Sequence, residues 1–532
     1  MSKERIYLFD TTLRDGAQTN GVDFTLSDKR VIAHILDELG IDYVEGGYPG
    51  ANPIDSEFFA TPPQLSHARF TAFGMTRRVG RSLSNDPGFA ALLEAKADAL
   101  CLVAKSSAYQ VRVALESTKE ENLASIRDSV SAAVAKGREV MLDCEHFFDG
   151  YKEDADFARA CAHAAYDAGA RWVVLCDTNG GSMPEEVARI VADVCTLIPG
   201  DHIGIHAHND TEQAVANSLA AVTAGARQIQ GSLNGLGERC GNANLCSLIP
   251  TLKLKPSFAS RFTIGVSDER LAGMVRLSRT LDDMLNRTPN RHAAYVGESA
   301  FVTKTGIHAS AVMKDPQTYE HVSPERVGNR RNVLVSDQAG RSNVIAALDQ
   351  AGIAFDRNDR RLTRLVEELK EREAAGFAYE SANASFDLLA RRTLGTVPEY
   401  FRVEQFDVNV ELRYNAVGQR VTVAMAVVKV NIAGEQRMSV AEGNGPVNAL
   451  DVAMRKDLGK YQKYIDAMHL IDYRVRILNS GTEAVTRVLI ESADEEGNSW
   501  TTVGVSPNII DASFQALMDS LIYKLVKSGA PA

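Results

Sequence analysis

The most constraining feature of this chain is an alternation of short apolar runs with longer amphipathic segments across its first ~265 residues. Runs of that kind, separated by helical patterns, are the signature of βα units and a parallel sheet. The candidate strands are Arg5–Phe9, Tyr43–Gly46, Arg69–Phe73, Ala99–Val103, Glu139–Asp143, Trp172–Cys176, Ile203–His206 and Gln228–Gly231. Helical patterns over Ser27–Leu39, Leu123–Lys136, Asp154–Ala168, Pro184–Leu197 and Glu212–Ala224 separate them, and Ser27 and Ser182 stand near two of the starts as capping residues. Eight units in ~250 residues predict a TIM (β/α)8 barrel rather than an open doubly wound sheet. The first strand runs into Asp10-Thr11-Thr12-Leu13-Arg14-Asp15-Gly16, which lacks the GxGxxG turn of a dinucleotide fold.

Beyond the barrel the pattern changes twice. From 266 to 395 the chain reads as a helical linker, with helices over Ser267–Leu285 and Asp359–Arg372, the second charge-laced and solvated on one face. From 396 to 532 it alternates with period two and repeats one order of elements, three strands and a helix. The first set is Val403–Leu412, Val421–Asn431, Arg437–Ala441 and the helix Val447–Asp457. The second is Tyr473–Leu478, Val485–Ser492, Trp500–Val505 and the helix Ile509–Leu525. Two βββα units make a compact α+β module, and its lack of clustered catalytic residue types points to regulation or dimerisation. The division expected is therefore 1–265, 266–395 and 396–532.

Composition enters as exclusion. Against 58 Lys and Arg stand 69 Asp and Glu, a net charge of −11, which argues against nucleic-acid or anionic-membrane partners. No apolar run reaches the ~20 residues of a membrane span, the first residues do not form a signal peptide, and the seven scattered cysteines read as buried reduced thiols. A cytoplasmic enzyme is the expectation.

In a TIM barrel the reacting groups sit at the carboxyl ends of the strands. Here those ends carry Arg14 and Asp15, Glu45, Lys105, Glu145, Asp177 and Thr178, His206 and His208, and the stretch Asn234 to Asn242. Residues i and i+2 of an extended strand face one side, so His206 and His208 can turn toward one ion. Closure of the barrel makes strands one, seven and eight neighbours, which brings Asp15 and Asn242 to the same point. One carboxylate, two imidazoles and an amide, with no thiolate, suit magnesium, manganese or zinc and leave positions open for an α-keto acid. Arg14 is placed to stabilise a developing alkoxide, or else is a surface or ion-paired arginine. Glu145 enters the mouth or caps a helix. The glycines of Gly235-Leu236-Gly237-Glu238-Arg239-Cys240-Gly241-Asn242 suit an anion-binding loop or a tight turn that carries Asn242 inward. On residue type alone His308 reads as structural.

Leu13-Arg14-Asp15-Gly16-Ala17-Gln18 with Lys29 resembles the first signature of the isopropylmalate, homocitrate and citramalate synthases. His206-Ala207-His208-Asn209-Asp210 resembles their second signature, and the Gly235–Asn242 loop their GxGERxGN motif. Glu442-Gly443-Asn444-Gly445-Pro446 and Gly481-Thr482-Glu483-Ala484-Val485-Thr486-Arg487 resemble motifs of their C-terminal domain. Glu45 to Pro53, with Asp55, and Asp143 to Gly150 resemble one citramalate-forming branch. Glu212 and Gln213 depart from the commonest second signature.

The resemblance implies condensation of acetyl-CoA with a chelated α-keto acid, pyruvate in that branch, at the entry to a threonine-independent isoleucine pathway. It implies Asp15, His206, His208 and Asn242 at a divalent ion, Arg14 at the ketone oxygen, Thr178 and Tyr319 at the substrate, and Glu145 with His308 removing the methyl proton. A homodimer and an amino-acid inhibitor, isoleucine, at the C-terminal domain are implied as well. Isopropylmalate or homocitrate synthesis is the near alternative. A carbon–carbon lyase and a metal-binding regulator on the same barrel are more remote.

Overall fold

Eight parallel strands close on one another in chain order: β1 (Tyr7–Asp10), β2 (Tyr43–Gly47), β3 (Arg69–Met75), β4 (Ala99–Lys105), β5 (Glu139–Glu145), β6 (Trp172–Asp177), β7 (Ile203–Ala207) and β8 (Gln228–Gly231). The computed structural model describes residues 3–333, 340–414, 416–478 and 484–532. Closure is made by β1, which pairs with β2 on one side and with β8 on the other. All eight expected strands are present, several extended by one or two residues because rim residues such as Glu145, Asp177 and Ala207 still pair in the ladder; the first begins at Tyr7, since Glu4 and Arg5 pair instead with Phe262 and Thr263.

Alternation along each strand separates two cores. On β5, Val140, Leu142 and Cys144 pack outward against the helices, whereas Met141 points inward with Phe9, Tyr43, Cys101, Trp172 and Val174. The floor of the barrel is tied by polar contacts, since the Trp172 indole donates to the Tyr43 hydroxyl at 3.1 Å and that hydroxyl donates to Glu139 at 2.7 Å. Higher up the interior turns polar, with Asp143, His206 and Gln230 all buried. A filled apolar floor beneath a polar rim is what positions the site.

The helix after β1 runs Leu26–Leu39. Its cap is Thr25, not Ser27: Thr25 and Asp28 exchange side-chain-to-backbone bonds in a capping box. Ser182 is likewise not a cap, because its hydroxyl donates to Asp177 at 3.0 Å inside the barrel rim. Of the seven cysteines five are buried, but Cys195 is only partly so and Cys240 is exposed on the loop after β8.

The described residues fall into two compact units, Met1–Phe301 with Val322–Arg330, and Val302–His321 with Arg331–Ala532. The second unit holds helices Gly306–Lys314, Arg341–Gln350, Arg361–Ala374 and Asn383–Thr393, then two three-stranded antiparallel sheets. On Arg361–Ala374 the leucines 362, 365 and 369 are buried and the charged residues form the solvated face, as the spacing required. The first sheet is Arg402–Tyr414, Arg420–Ile432 and Glu435–Gly443 with helix Pro446–Arg455. The second is His469–Ile477, Thr486–Ala493 and Ser499–Ser506 with helix Ile509–Lys527. The repeated βββα order is therefore present. Both sheets also leave apolar side chains exposed, Leu412 and Val440 on one, Ile471 and Ile477 on the other. Gly481, Thr482 and Glu483 of the C-terminal motif lie outside the described residues.

Candidate active site

The loop after β1 is shaped by Asp10. Its carboxylate accepts from the Thr12 N–H at 2.9 Å and the Thr12 hydroxyl at 2.8 Å, an Asx-type turn that aims Arg14 and Asp15 at the barrel axis. Burial pushes the Asp10 acid up to about 7, against the pull of those two bonds. The Thr12 oxygen in turn accepts from the Leu233 N–H at 2.9 Å, which staples this loop to the one after β8.

Asp15, His206 and His208 meet there, all buried. Asp15 Oδ2 stands 3.3 Å from His206 Nε2 and 3.8 Å from His208 Nε2, and the two imidazole nitrogens are 3.3 Å apart. Burial alone would raise the Asp15 acid, but Arg14 and the two histidines outweigh it and hold the carboxyl well below its usual range. His208 is pushed down to about 4 by burial and by its neighbour His206, so its ring is neutral at pH 7. Asn242 is brought alongside His208 by a backbone bridge, and its amide donates to the Thr11 hydroxyl at 3.3 Å. Among the described residues Asp15 Oδ1 and Asn242 Oδ1 are buried without a hydrogen-bond partner. Buried oxygens left unsatisfied beside two imidazoles are the donor set a divalent cation completes, so the residues fit the ion that the resemblance implies.

The glycines after β8 serve this placement. Gly237 leaves room for Asn242, whose Oδ1 would lie 2.5 Å from a Cβ added there, and Gly241 has a φ of +91° and packs on the Gly235 carbonyl.

Arg14 is set by three neighbours. Its Nε donates to Glu45 Oε2 at 2.7 Å, its Nη1 lies 3.7 Å from Asp15, and its guanidinium rests 3.9 Å above the Phe73 ring. Arg14 is therefore a largely buried, ion-paired arginine beside the Asp15 cluster. Glu45 is wholly buried and its acid rises to about 7 through desolvation, with Arg14 pulling it back.

The segment that carries Glu45 is anchored by a pair outside the expected site, Lys29 and Asp55. Both are buried and in contact; Lys29 Nζ also donates to the Gly46 carbonyl at 2.9 Å, and Asp55 accepts from the Tyr48 N–H at 3.0 Å. Gly47 is required between them, with a φ of +140° and a would-be Cβ 2.5 Å from the Asp55 carboxyl. Asp55→Ala strands a buried ammonium, so a loss of about 3–5 kcal/mol is expected. Urea unfolding checks this, and an unchanged midpoint would refute the anchoring role.

Across the mouth, Glu145 pairs with Lys105 at 2.6 Å. It therefore lies at the rim and caps no helix. The Thr178 hydroxyl oxygen accepts from the His146 N–H at 2.7 Å, which leaves its own proton for a ligand. Arg239 donates to the Thr178 carbonyl at 2.6 Å and to Asp210 at 2.8 Å. His308 and Tyr319 belong to the second unit, where their rings pack 4.3 Å apart. Both are exposed on that unit. Sequence reasoning passed over Asp10 and Gln230. The polar pair Gln228 and Gln230, two apart on an otherwise apolar strand, was the available signal for the latter.

Comparison with known proteins agrees with this geometry. Residues 5–267 match the HMGL-like family model, 295–376 the homocitrate synthase post-HMGL domain-like model and 380–525 the LeuA allosteric (dimerisation) domain. An (R)-citramalate synthase of Geobacter sulfurreducens is 48% identical and one of Aquifex aeolicus 45% identical, each over 98% of both chains. A probable 2-isopropylmalate synthase of Methanopyrus kandleri is more distant, 32% identical over 97% of each chain. With its barrel, helical region and paired C-terminal sheets matched along nearly its whole length, the chain belongs to the (R)-citramalate synthase family.

Proposed function

We propose that this protein condenses acetyl-CoA with pyruvate at the barrel mouth and hydrolyses the product thioester, yielding (R)-citramalate and CoA in the cytoplasm. The observation that carries this reading is the buried Asp15–His206–His208 cluster beside Arg14, in a chain matched over 98% of its length to an (R)-citramalate synthase. Asp15, His206 and His208 would hold a divalent ion, magnesium, manganese or zinc, with Asn242 as a further ligand. When bound, the ion supplies Lewis-acid charge beside the keto oxygen.

The chain's own residues supply the rest. The Thr178 hydroxyl donates a hydrogen bond to the keto-acid carboxylate. Glu145 with His308 removes a proton from the acetyl methyl group, and the methyl carbon bonds the ketone carbon. The ketone oxygen becomes an alkoxide, stabilised by the Arg14 guanidinium, and takes up one proton, balancing the one that Glu145 and His308 removed from the methyl group. Water cleaves the thioester and releases the CoA thiol. We assign Tyr319 to substrate binding, and the segment bearing His308 and Tyr319 to the barrel of a second copy in a homodimer. Residues 1–265, 266–395 and 396–532 are taken as catalytic domain, linker and regulatory domain, the last binding isoleucine. The match to an allosteric dimerisation domain and the exposed apolar side chains of both sheets support this assignment.

Thiol release from acetyl-CoA across a keto-acid panel tests the reading. The expected result is a kcat/KM for pyruvate at least ~10-fold above that for 2-oxoisovalerate, within the range that added side-chain carbons produce in a closed pocket. The reverse order would assign the chain to isopropylmalate synthesis. In the same assay isoleucine lowers the rate, and insensitivity to it would remove that ligand.

A further inference from the structure

One contact chain inside the barrel belongs to none of the roles above. His206 Nδ1 lies 2.9 Å from Gln230 Oε1, and Gln230 Nε2 lies 2.8 Å from Asp143 Oδ1. All three side chains are buried, on β7, β8 and β5, and cross the interior just beneath the Asp15 cluster.

We propose that Gln230 is a positioning residue that fixes His206 in the tautomer whose Nε2 lone pair faces the cluster, and that Asp143 sets the orientation of the Gln230 amide. The proposal rests on the reading that Asp15, His206 and His208 hold the divalent ion.

A glutamine amide has the same shape in either orientation, so its hydrogen-bond partners decide which way it points. An ionised carboxylate only accepts. Gln230 Nε2 lies 2.8 Å from Asp143 Oδ1, so its NH2 donates there; burial pushes the Asp143 acid up, and His206, Arg14 and the bonds from Cys101 and Gln230 support its carboxylate form. That leaves the Gln230 oxygen toward His206. An oxygen only accepts, so a ring proton sits on Nδ1, and Nε2, 3.3 Å from Asp15 Oδ2 and from His208 Nε2, is the nitrogen left to give up its proton and turn a lone pair to an ion. With the amide reversed, its NH2 would face Nδ1, the ring proton would move to Nε2 and point into the cluster, and two oxygens would confront each other at Asp143. A buried amide held by a carboxylate thus does for this histidine what a carboxylate or carbonyl does for other metal-ligating imidazoles.

The test is Mn2+ binding to the whole 532-residue chain, freed of metal, read from the free-ion EPR signal, together with thermal melting of the same samples. Loss of an outer partner of a ligating histidine weakens metal binding by about 10–100-fold. Gln230→Leu and Asp143→Leu are expected to fall in that range. Asp143→Asn retains an oxygen for the Gln230 NH2 and is expected to stay within about threefold of the unaltered protein.

A purely structural role for Asp143 would instead track melting temperature, and melting points within a few degrees of one another support the positioning role. Should Gln230→Leu fail to fold, the two Asp143 variants decide the matter. Unaltered affinity in Asp143→Leu overturns the proposal, and so does Asp143→Asn binding as weakly as Asp143→Leu. His206→Ala is the control for the underlying reading. If His206→Ala loses Mn2+ while Gln230→Leu retains it, the ligand assignment stands and the positioning role falls. If the unaltered protein itself binds no Mn2+, both fall.

Discussion

Asp15→Asn is expected to lower the kcat for thiol release at least ~10³-fold, a barrier increase of about 4 kcal/mol. Exhaustive chelation of the unaltered protein should do the same, with recovery on adding a divalent ion. The size follows from the cluster. Asp15 is its one anionic donor, and both histidines face the same oxygen, Oδ2, at 3.3 and 3.8 Å. Asparagine keeps the shape and one acceptor oxygen but removes the charge that offsets a dication in a site closed to solvent, where charge counts for more than in water. Metal content measured on the same samples makes the outcome interpretable. Full activity in a protein stripped of metal would exclude the role assigned to the cluster.

Arg14→Met is expected to reduce kcat by about 10²–10³ with a smaller change in the KM for pyruvate, because a positioned donor to a developing oxyanion acts mainly in the transition state. Lysine should rescue only part of this. It cannot reproduce the fork by which Arg14 donates to Glu45 while lying flat on Phe73. The variant should still fold. The Glu45 acid already stands at about 7 through burial, and Arg14 is what lowers it, so without Arg14 it climbs further and is neutral at pH 7. Its protonated form favours the folded state, and that contribution is lost as pH rises through the raised value. Melting of Arg14→Met relative to the unaltered protein should therefore decline toward alkaline pH. A flat difference would mean that Glu45 is not the group left uncompensated.

The barrel was legible because its signal is local: apolar runs repeat eight times, with 3.6-residue periodicity in five of the stretches between them. The convergence of Asp15, His206 and His208 was legible because it needs only the closure of strands one, seven and eight and the two-residue repeat of a strand. What stayed hidden depends on contacts distant in sequence. Nothing near Lys29 announces Asp55, nothing near Asp143 announces Gln230, and Thr25 rather than Ser27 caps its helix because only Thr25 has Asp28 in the reciprocal position. Buried polar pairs of this kind leave no periodic trace.

Arg239 has one more consequence. By gripping Asp210 and the Thr178 carbonyl from the loop that also delivers Asn242, it makes the loops after β6, β7 and β8 a single mechanical part. A load placed on Thr178 is transmitted through a guanidinium to the segment that holds Asn242, so ligands arriving at either end of the mouth share one backbone strut.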